Sequence, residues 1–190
     1  MPSFVLRDVV VMVLPLVIDA NVVKAYFEEA ELALPSRLTG STLPIFGGLG
    51  PAHQVAYVDT GNKIEQEWRN VVQPEWFNAW FAGMLASGAV EMVEPTTRGD
   101  IIKVLKVKHG FPGDQSDRWY VLTACAVVQR TGGGVALISE DLDFYEPREK
   151  KCGSSRRQRI LMDSAGKVAK HLRKCEQVYV RSVAVQLAAP

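Results

Sequence analysis

The hydrophobic pattern of the chain consists of short, continuous apolar runs separated by longer amphipathic stretches. Residues 9–18 form an almost unbroken aliphatic run, and residues 135–138 form a second one. A run without polar alternation is typical of a strand that is buried on both faces of a parallel sheet. Shorter apolar runs at 53–58, at 90–94 and from residue 178 onward predict three further strands.

Helical periodicity fills the intervals between these strands. The pattern predicts helices over 22–34, around the stripe Ile64, Trp68 and Val71, over 74–87, over 98–109, over 114–130 and over 164–175. The middle of the 114–130 helix is apolar nearly all round, which predicts a central, buried position. Strands that alternate with helices indicate an α/β fold with a mainly parallel sheet, and the length favours one domain over residues 1–190.

Two long connections and one aromatic helix complete the pattern. Residues 36–52 are rich in Gly, Pro, Ser and Thr and predict a loop, and residues 145–160 predict a basic loop. Residues 59–62 predict a turn that starts the following helix. The 74–87 helix carries Trp76, Phe77, Trp80 and Phe81, and these rings are expected in the core or in a dimer interface.

Composition indicates an ordinary globular chain with an uneven charge distribution. The 190 residues are 47% hydrophobic and 23% charged, with a formal net charge of +1. Residues 148–174 contain ten basic and two acidic groups, or +8, whereas the 12 basic and 19 acidic groups elsewhere give −7. Three cysteines without CxxC spacing favour a reducing cytoplasm. The N-terminal apolar run is broken by Pro15 and predicts neither a membrane anchor nor a signal peptide.

Acidic residues follow both strongly apolar strands. Asp19 directly follows the run at 9–18, and Asp141 comes three residues after the run at 135–138. In open α/β sheets, ligands bind beyond the carboxyl ends of such strands. If the two strands are neighbours, the two carboxylates face each other. Asn21 is expected to cap the helix that follows the first strand. Asp117 lies at the start of the buried helix, where the helix dipole alone could explain an acid.

Clustered carboxylates raise one another's pKa unless a cation neutralises them, and Mg²⁺ or Mn²⁺ prefers such oxygen ligands. A further acid is expected on the helix after the second strand. Periodicity leaves both Glu65 and Glu67 open for that position. The histidines show no spacing of metal ligands.

The acids stand in motifs that resemble those of the PIN-domain nucleases. The motifs are Val17-Ile18-Asp19-Ala20-Asn21, Ile64-x-x-Glu67-Trp68, Asp117-x-x-Tyr120-x-x-x-Ala124 and Leu137-Ile138-Ser139-Glu140-Asp141-x-x-Phe144. The resemblance implies a three-layer α/β/α sandwich that binds one or two Mg²⁺ or Mn²⁺ ions for phosphodiester hydrolysis. It places Asp19, Glu67, Asp117 and Asp141 at the metal-binding catalytic positions. Asn21, Ser139 and Asp143 are then supporting residues.

The same resemblance implies a nucleic-acid substrate, with single-stranded RNA favoured. A basic flank must recruit that substrate because an acidic site repels phosphates. The expected contacts are made by Lys150, Lys151, Arg156, Arg157 and Arg159. A homodimer and an inhibitory, antitoxin-like protein are further partners that the family suggests, although the long 36–52 loop and the basic insert depart from its compact toxins. No membrane is expected as a partner.

Two other functions compete with a nuclease. The aspartyl-phosphate phosphatases also begin with an apolar strand that ends in Asp, but they need a second Asp where this chain has Asn21. A non-catalytic PIN-like module that binds RNA or a protein partner is the alternative function. The presence of all four acids argues against it.

Overall fold

The computed structural model describes residues 13–112 and 116–189 and contains a five-stranded sheet in which each strand is parallel to its neighbours. The strand order is β3-β2-β1-β4-β5. The α/β class and the parallel sheet predicted from the sequence are therefore confirmed. The strands are β1 Leu16–Ile18, β2 Ala56–Asp59, β3 Val90–Val93, β4 Val135–Ile138 and β5 Val178–Arg181.

The two most apolar strands lie side by side at the centre of the sheet. Leu16 pairs with Ala136 and Ile18 pairs with Ile138, and every residue of β1 and β4 is buried. The backbone amide of Asp19 continues this pairing and donates to the Ile138 carbonyl at 2.9 Å. The prediction that both strands are buried and end next to each other is confirmed.

Helices connect successive strands, and the longest of them is the most buried. Helix α6 contacts all five strands of the sheet, and its residues 120–127 are all buried. This confirms the central position that its apolar sequence predicts. The helices are α1 Ala20–Leu32, α2 Leu43–Gly47, α3 Lys63–Asn70, α4 Pro74–Ala86, α5 Gly99–Val104, α6 Asp117–Thr131, α7 Ser154–Met162, α8 Lys167–His171 and α9 Val183–Leu187.

Two side chains fix helix α3 at the carboxyl ends of β1 and β2 through hydrogen bonds. The Asp59 carboxylate accepts hydrogen bonds from the backbone amides of Lys63 and Ile64 at 3.0 and 2.7 Å, as predicted for a turn that starts this helix. The indole Nε1 of Trp68 donates to the carbonyl of Ile18 at 2.9 Å. The next residue along the chain from Ile18 is Asp19, so α3 lies beside the end of β1 where the acids were predicted.

The aromatic side chains of α4 pack largely within the chain. Phe77 and Phe81 are buried and stack with their ring centroids 5.2 Å apart. Trp76 and Trp80 are half-buried and stack at 5.0 Å. The expected packing of these rings against the core is confirmed, and a dimer interface stays a prediction.

Several predicted boundaries were wrong. The supposed basic loop 145–160 contains the first part of α7, because Ile160 and Leu161 give this polar helix a buried anchor. The loop 36–52 contains α2, and the last strand ends at Arg181 before α9. Strand β1 begins only at Leu16; residues 9–12 of the predicted strand and residues 114–115 of the predicted helix lie outside the described residues.

The N-terminal run for which neither an anchor nor a signal peptide was predicted also lies largely outside the described residues. In the part of the chain that the structure does describe, none of the helices has the length and apolar character needed to cross a membrane.

Candidate functional site

Asp19 is the first residue after β1 and caps helix α1. Its backbone is extended, and its Oδ1 accepts a hydrogen bond from the Asn21 amide at 3.4 Å. The predicted capping role of Asn21 was therefore wrong, because α1 begins two residues earlier than its apolar pattern suggested. Burial, together with the nearby negative charge of Asp141, raises the pKa of Asp19 to about 6.

Ser139 joins the acids of the two central strands. It is fully buried, and its Oγ donates to Oδ2 of Asp19 at 2.6 Å. The same Oγ accepts a hydrogen bond from the backbone amide of Asp141 at 3.0 Å. The hydroxyl predicted to support the site thus lies between Asp19 and Asp141 and fixes both relative to the sheet.

Asp117 lies in the first turn of α6 and is half-buried. A helix N-terminus alone stabilises a carboxylate and lowers its pKa. Here the pKa of Asp117 is instead raised to about 7, first by burial and then by the charges of Asp141, Asp19 and Asp143. The helix dipole is therefore not the main influence on this acid, and Asp117 belongs to the same electrostatic cluster as Asp19 and Asp141.

Glu67 and Glu65 have different surroundings on α3. Glu65 forms an ion pair with Arg69 at 2.7 Å on the same helix. Burial raises the pKa of Glu67, and its charge acts on the hydroxyl of Tyr120 together with those of Asp19 and Asp117. Of the two alternatives that periodicity left open, Glu67 is the one that lies near the cluster.

Tyr120 was not singled out by the sequence as a site residue. Burial and the three neighbouring carboxylates raise the pKa of its hydroxyl far above the usual value for tyrosine. This hydroxyl accepts a hydrogen bond from the backbone amide of Ala20 at 3.2 Å. Tyr120 lies three residues after Asp117, on the same face of α6, and this spacing was the available signal.

Lys150 brings a positive charge to the acids. Its Nζ binds the buried carboxylate of Asp143, and its charge lowers the pKa of Asp117. The backbone amide of Asp143 donates to Oδ1 of Asp141 at 3.0 Å. Lys150 was predicted as a nucleic-acid contact, and the structure places it in the acidic cluster itself.

The donor chemistry of the cluster fits a hard divalent cation, whereas its side-chain positions do not enclose one. The candidate ligands are all carboxylates, and the pKa values of Asp19 and Asp117 rise partly because their charges are uncompensated. Within residues 13–112 and 116–189, no group of three or more His, Cys, Asp or Glu side chains is arranged to hold a metal ion. A divalent ion at these acids stays a prediction.

A cleft of about 390 Å³ opens beside these acids. Asp141 and Asn21 line it, so the supporting position predicted for Asn21 is next to the cluster. Four basic side chains surround the same cleft together with three acids, Glu28, Glu140 and Asp141, so that its net charge is +1. Two of the basic residues, Lys24 and Arg37, were not predicted from the sequence. The basic residues of the cleft are Lys24, Arg37, Lys150 and Arg157.

The remaining predicted basic contacts are placed differently. Arg156 forms a double hydrogen bond with Glu149, at 2.8 and 2.6 Å. Arg159 and Lys151 are exposed and do not line the cleft. Arg157 lines the cleft and donates to the Glu140 carbonyl at 2.5 Å. The structure thus brings Arg157 and Lys150 to the cleft and leaves the other three outside it.

Glu140 is a buried acid with a structural role. Its carboxylate accepts hydrogen bonds from the backbone amide and hydroxyl of Thr39 and from the Val183 amide at 3.3 Å. These contacts hold the 36–52 loop and the start of α9 against β4. The position of Glu140 between Ser139 and Asp141 therefore does not make it a member of the acidic cluster.

We expect Glu140→Ala to lower the free energy of unfolding by about 2 kcal/mol or more, because buried donors lose their acceptor. Denaturant unfolding measures this loss. A variant as stable as the wild type would show that these hydrogen bonds contribute nothing to stability.

The chain matches no protein-family model, no curated protein and no solved structure.

Proposed function

We propose that the protein is a metal-dependent endoribonuclease that hydrolyses phosphodiester bonds in single-stranded RNA. The observation that supports this most strongly is that an acidic cluster and a group of basic side chains lie next to each other at the carboxyl ends of β1 and β4. Asp19, Asp117 and Asp141 form an electrostatically coupled acidic cluster, and a basic cleft opens directly beside Asp141. Such an arrangement suits a substrate whose phosphates are negative and whose cleavage uses a cation.

The acids would hold Mg²⁺ or Mn²⁺. Asp19, Asp117 and Asp141 are the proposed ligands, with Glu67 as a fourth carboxylate on α3. A bound ion of this kind supplies an activated water and screens the charge that develops on the phosphate. Ser139 orients two of the ligands through its hydrogen bonds to the Asp19 carboxylate and the Asp141 amide.

The basic residues would hold the RNA. Lys24, Arg37 and Arg157 face the cleft from α1, from the 36–52 loop and from α7, so they can contact successive phosphates. Lys150 lies between the cleft and Asp143, where its ammonium group offsets part of the negative charge that would repel RNA. Burying the scissile phosphate between these groups would exclude bulk water from it.

The PIN-like, three-layer α/β/α arrangement and a cytoplasmic location belong to the same proposal. The parallel sheet and the adjacent ends of β1 and β4 support the fold. A non-catalytic PIN-like module that binds RNA or a protein partner is the second candidate function. It is favoured by the absence, among the described residues, of three side chains arranged to hold an ion.

Substrate class can be tested with end-labelled oligonucleotides of one sequence as single-stranded RNA, single-stranded DNA and duplex RNA, each with Mn²⁺. The proposal predicts internal cleavage of the single-stranded RNA at the highest rate. Equal cleavage of the DNA would contradict the RNA assignment. Tight RNA binding without any cleavage would support the non-catalytic module.

The salt dependence of RNA binding tests the basic cleft. The double variant Lys24→Gln, Arg37→Gln should reduce the slope of log K against log salt by about 1.4, since each single-strand phosphate contact contributes about 0.7. Binding is measured by fluorescence anisotropy with chelator present, so that the RNA stays intact. Arg156→Gln is the matched control, because Glu149 already pairs with Arg156. An unchanged slope in the double variant would contradict a role of this cleft.

A further inference from the structure

A second basic cleft lies between α8 and the edge strand β5. Its volume is about 340 Å³. Three cations and one carboxylate line it, and a tyrosine ring forms part of its wall. These residues are Asp163, Lys170, Arg173, Tyr179 and Arg181.

The three cations of this cleft have no ion-pair partner in the part of the chain that the structure describes. Among the described residues, no carboxylate forms an ion pair with Lys170, Arg173 or Arg181. Arg181 is half-buried, and among the described residues the only hydrogen-bond partner of its guanidinium is the neutral Oε1 of Gln186, at 3.1 Å. Burial lowers the pKa of its guanidinium. A partly buried cation without a counter-charge favours the binding of an anion.

Tyr179 holds the two arginines in position. The guanidinium carbons of Arg173 and Arg181 lie 5.8 and 5.9 Å from the centroid of its ring. The ring itself packs over Gly134, where a Cβ atom would lie only 2.6 Å from Cε2 of the tyrosine. Glycine at position 134 thus provides the space that the ring occupies, and the ring in turn keeps both guanidinium groups at the cleft.

Ser164 contributes a buried hydroxyl group to this cleft. It lies in the turn between α7 and α8 with a φ of 45° and lines the cleft. Its Oγ is buried and has no hydrogen-bond partner among the described residues. Buried polar atoms are nearly always hydrogen-bonded, so the Ser164 hydroxyl is available to an acceptor oxygen of a ligand that binds beside the three cations.

We propose that this cleft binds a phosphate monoester. Lys170, Arg173 and Arg181 with Asp163 give the cleft a net charge of +2, which matches the charge of about −2 that a monoester carries near neutral pH, whereas a phosphodiester carries only −1. The guanidinium groups donate in pairs to phosphate oxygens, and the Ser164 hydroxyl donates to a further one. The proposal does not depend on nuclease activity, because no residue of the acidic cluster lines this cleft.

The test uses the full-length protein with chelator and three probes: inorganic phosphate, an oligoribonucleotide with a 5′ phosphate, and the same oligoribonucleotide with a 5′ hydroxyl. Calorimetric titration gives each Kd. We expect Arg181→Gln and Arg173→Gln each to weaken phosphate binding by about tenfold or more, because each removes charge-assisted hydrogen bonds. Lys106→Gln is the matched control, since it removes an exposed cation that lines neither cleft and should change the Kd for inorganic phosphate by less than about twofold.

The outcomes separate the sources of the phosphate. Saturable binding of inorganic phosphate with equal affinity for the two RNAs supports a free anion as the ligand. Tighter binding of the 5′-phosphorylated RNA than of the 5′-hydroxyl RNA supports a nucleic-acid end. No binding of inorganic phosphate, together with equal affinity for the two RNAs, would overturn the proposal, because neither a free anion nor a terminal monoester would then bind. Phosphate binding that is unchanged in both Arg181→Gln and Arg173→Gln would overturn it as well. Arg173 is exposed, so its variant is expected to fold even if Arg181→Gln does not.

Discussion

Replacing Asp19 with asparagine should reduce Mn²⁺-dependent RNA cleavage by about a thousandfold or more, which corresponds to about 4 kcal/mol of lost transition-state stabilisation. The reason is that the Asp19 carboxylate is a proposed ligand and the amide of asparagine carries no charge. The fold should persist, since asparagine caps helices as well as aspartate does. Asp141→Asn should have a similar effect, because Asp141 lines the cleft and is coupled to Asp19.

Single-turnover cleavage of labelled RNA measures this effect, and circular dichroism confirms folding. Glu65→Gln is the matched control because Glu65 is paired with Arg69 on the same helix. We expect its rate to stay within about threefold of the wild type, since the Glu65 carboxylate is bound to Arg69 and is not a proposed metal ligand. Equal losses in Asp19→Asn and Glu65→Gln would contradict the assignment of individual ligands.

The metal-free protein should lose stability as the pH rises from about 4 to about 7. The pKa of Asp19 rises from 3.8 to about 6 on folding, and that of Asp117 to about 7. In this window the folded state retains protons that the unfolded state has released, so raising the pH favours unfolding. For the buried Asp19 alone, the change corresponds to about 3 kcal/mol. A saturating divalent ion should oppose the loss by about 2.7 kcal/mol at a hundredfold excess over its Kd.

Melting curves are recorded between pH 4 and pH 8 for the wild type and Asp117→Asn, each with chelator or with Mn²⁺. Comparing the two proteins separates the contribution of Asp117 from that of other titrating groups. Without metal, Asp117→Asn should melt higher than the wild type at pH 7.5 and similarly at pH 4. Mn²⁺ should raise the wild-type melting temperature by several degrees at pH 7.5, at about 2–4 °C per kcal/mol, and the variant's by much less. A metal-free variant that melts lower at pH 7.5, with a wild type indifferent to Mn²⁺, would show that the acids are structural.

The sequence predicted the adjacent ends of β1 and β4 because burial on both faces leaves a simple signature. Each strand is an aliphatic run followed at once by polar residues, as expected of central strands whose two faces are both covered in a parallel sheet. The observed pairing of Ile18 with Ile138 follows from that requirement. The relation of Asp19 to Ser139 was available from the same pattern, since both residues directly follow the paired strand ends.

The basic side of the site could not be predicted because it depends on tertiary contacts. Arg37 lies in a loop whose course is set by the hydrogen bonds of Thr39 to the distant Glu140. Charge density favoured residues 148–174 as the RNA contact, but Arg156 is paired with Glu149 within that segment. The α7 helix was missed for a related reason, since its polar sequence resembles that of a solvated loop.

Cleavage of end-labelled single-stranded RNA with Mn²⁺, with excess chelator, and with Mn²⁺ restored after chelation tests the central claim most directly. The account predicts internal cleavage with Mn²⁺, no cleavage with chelator and full recovery when Mn²⁺ is restored, with Asp141→Asn inactive throughout. Cleavage that continues in chelator, or that Asp141→Asn performs at the wild-type rate, would contradict a metal-dependent acidic site at the ends of β1 and β4.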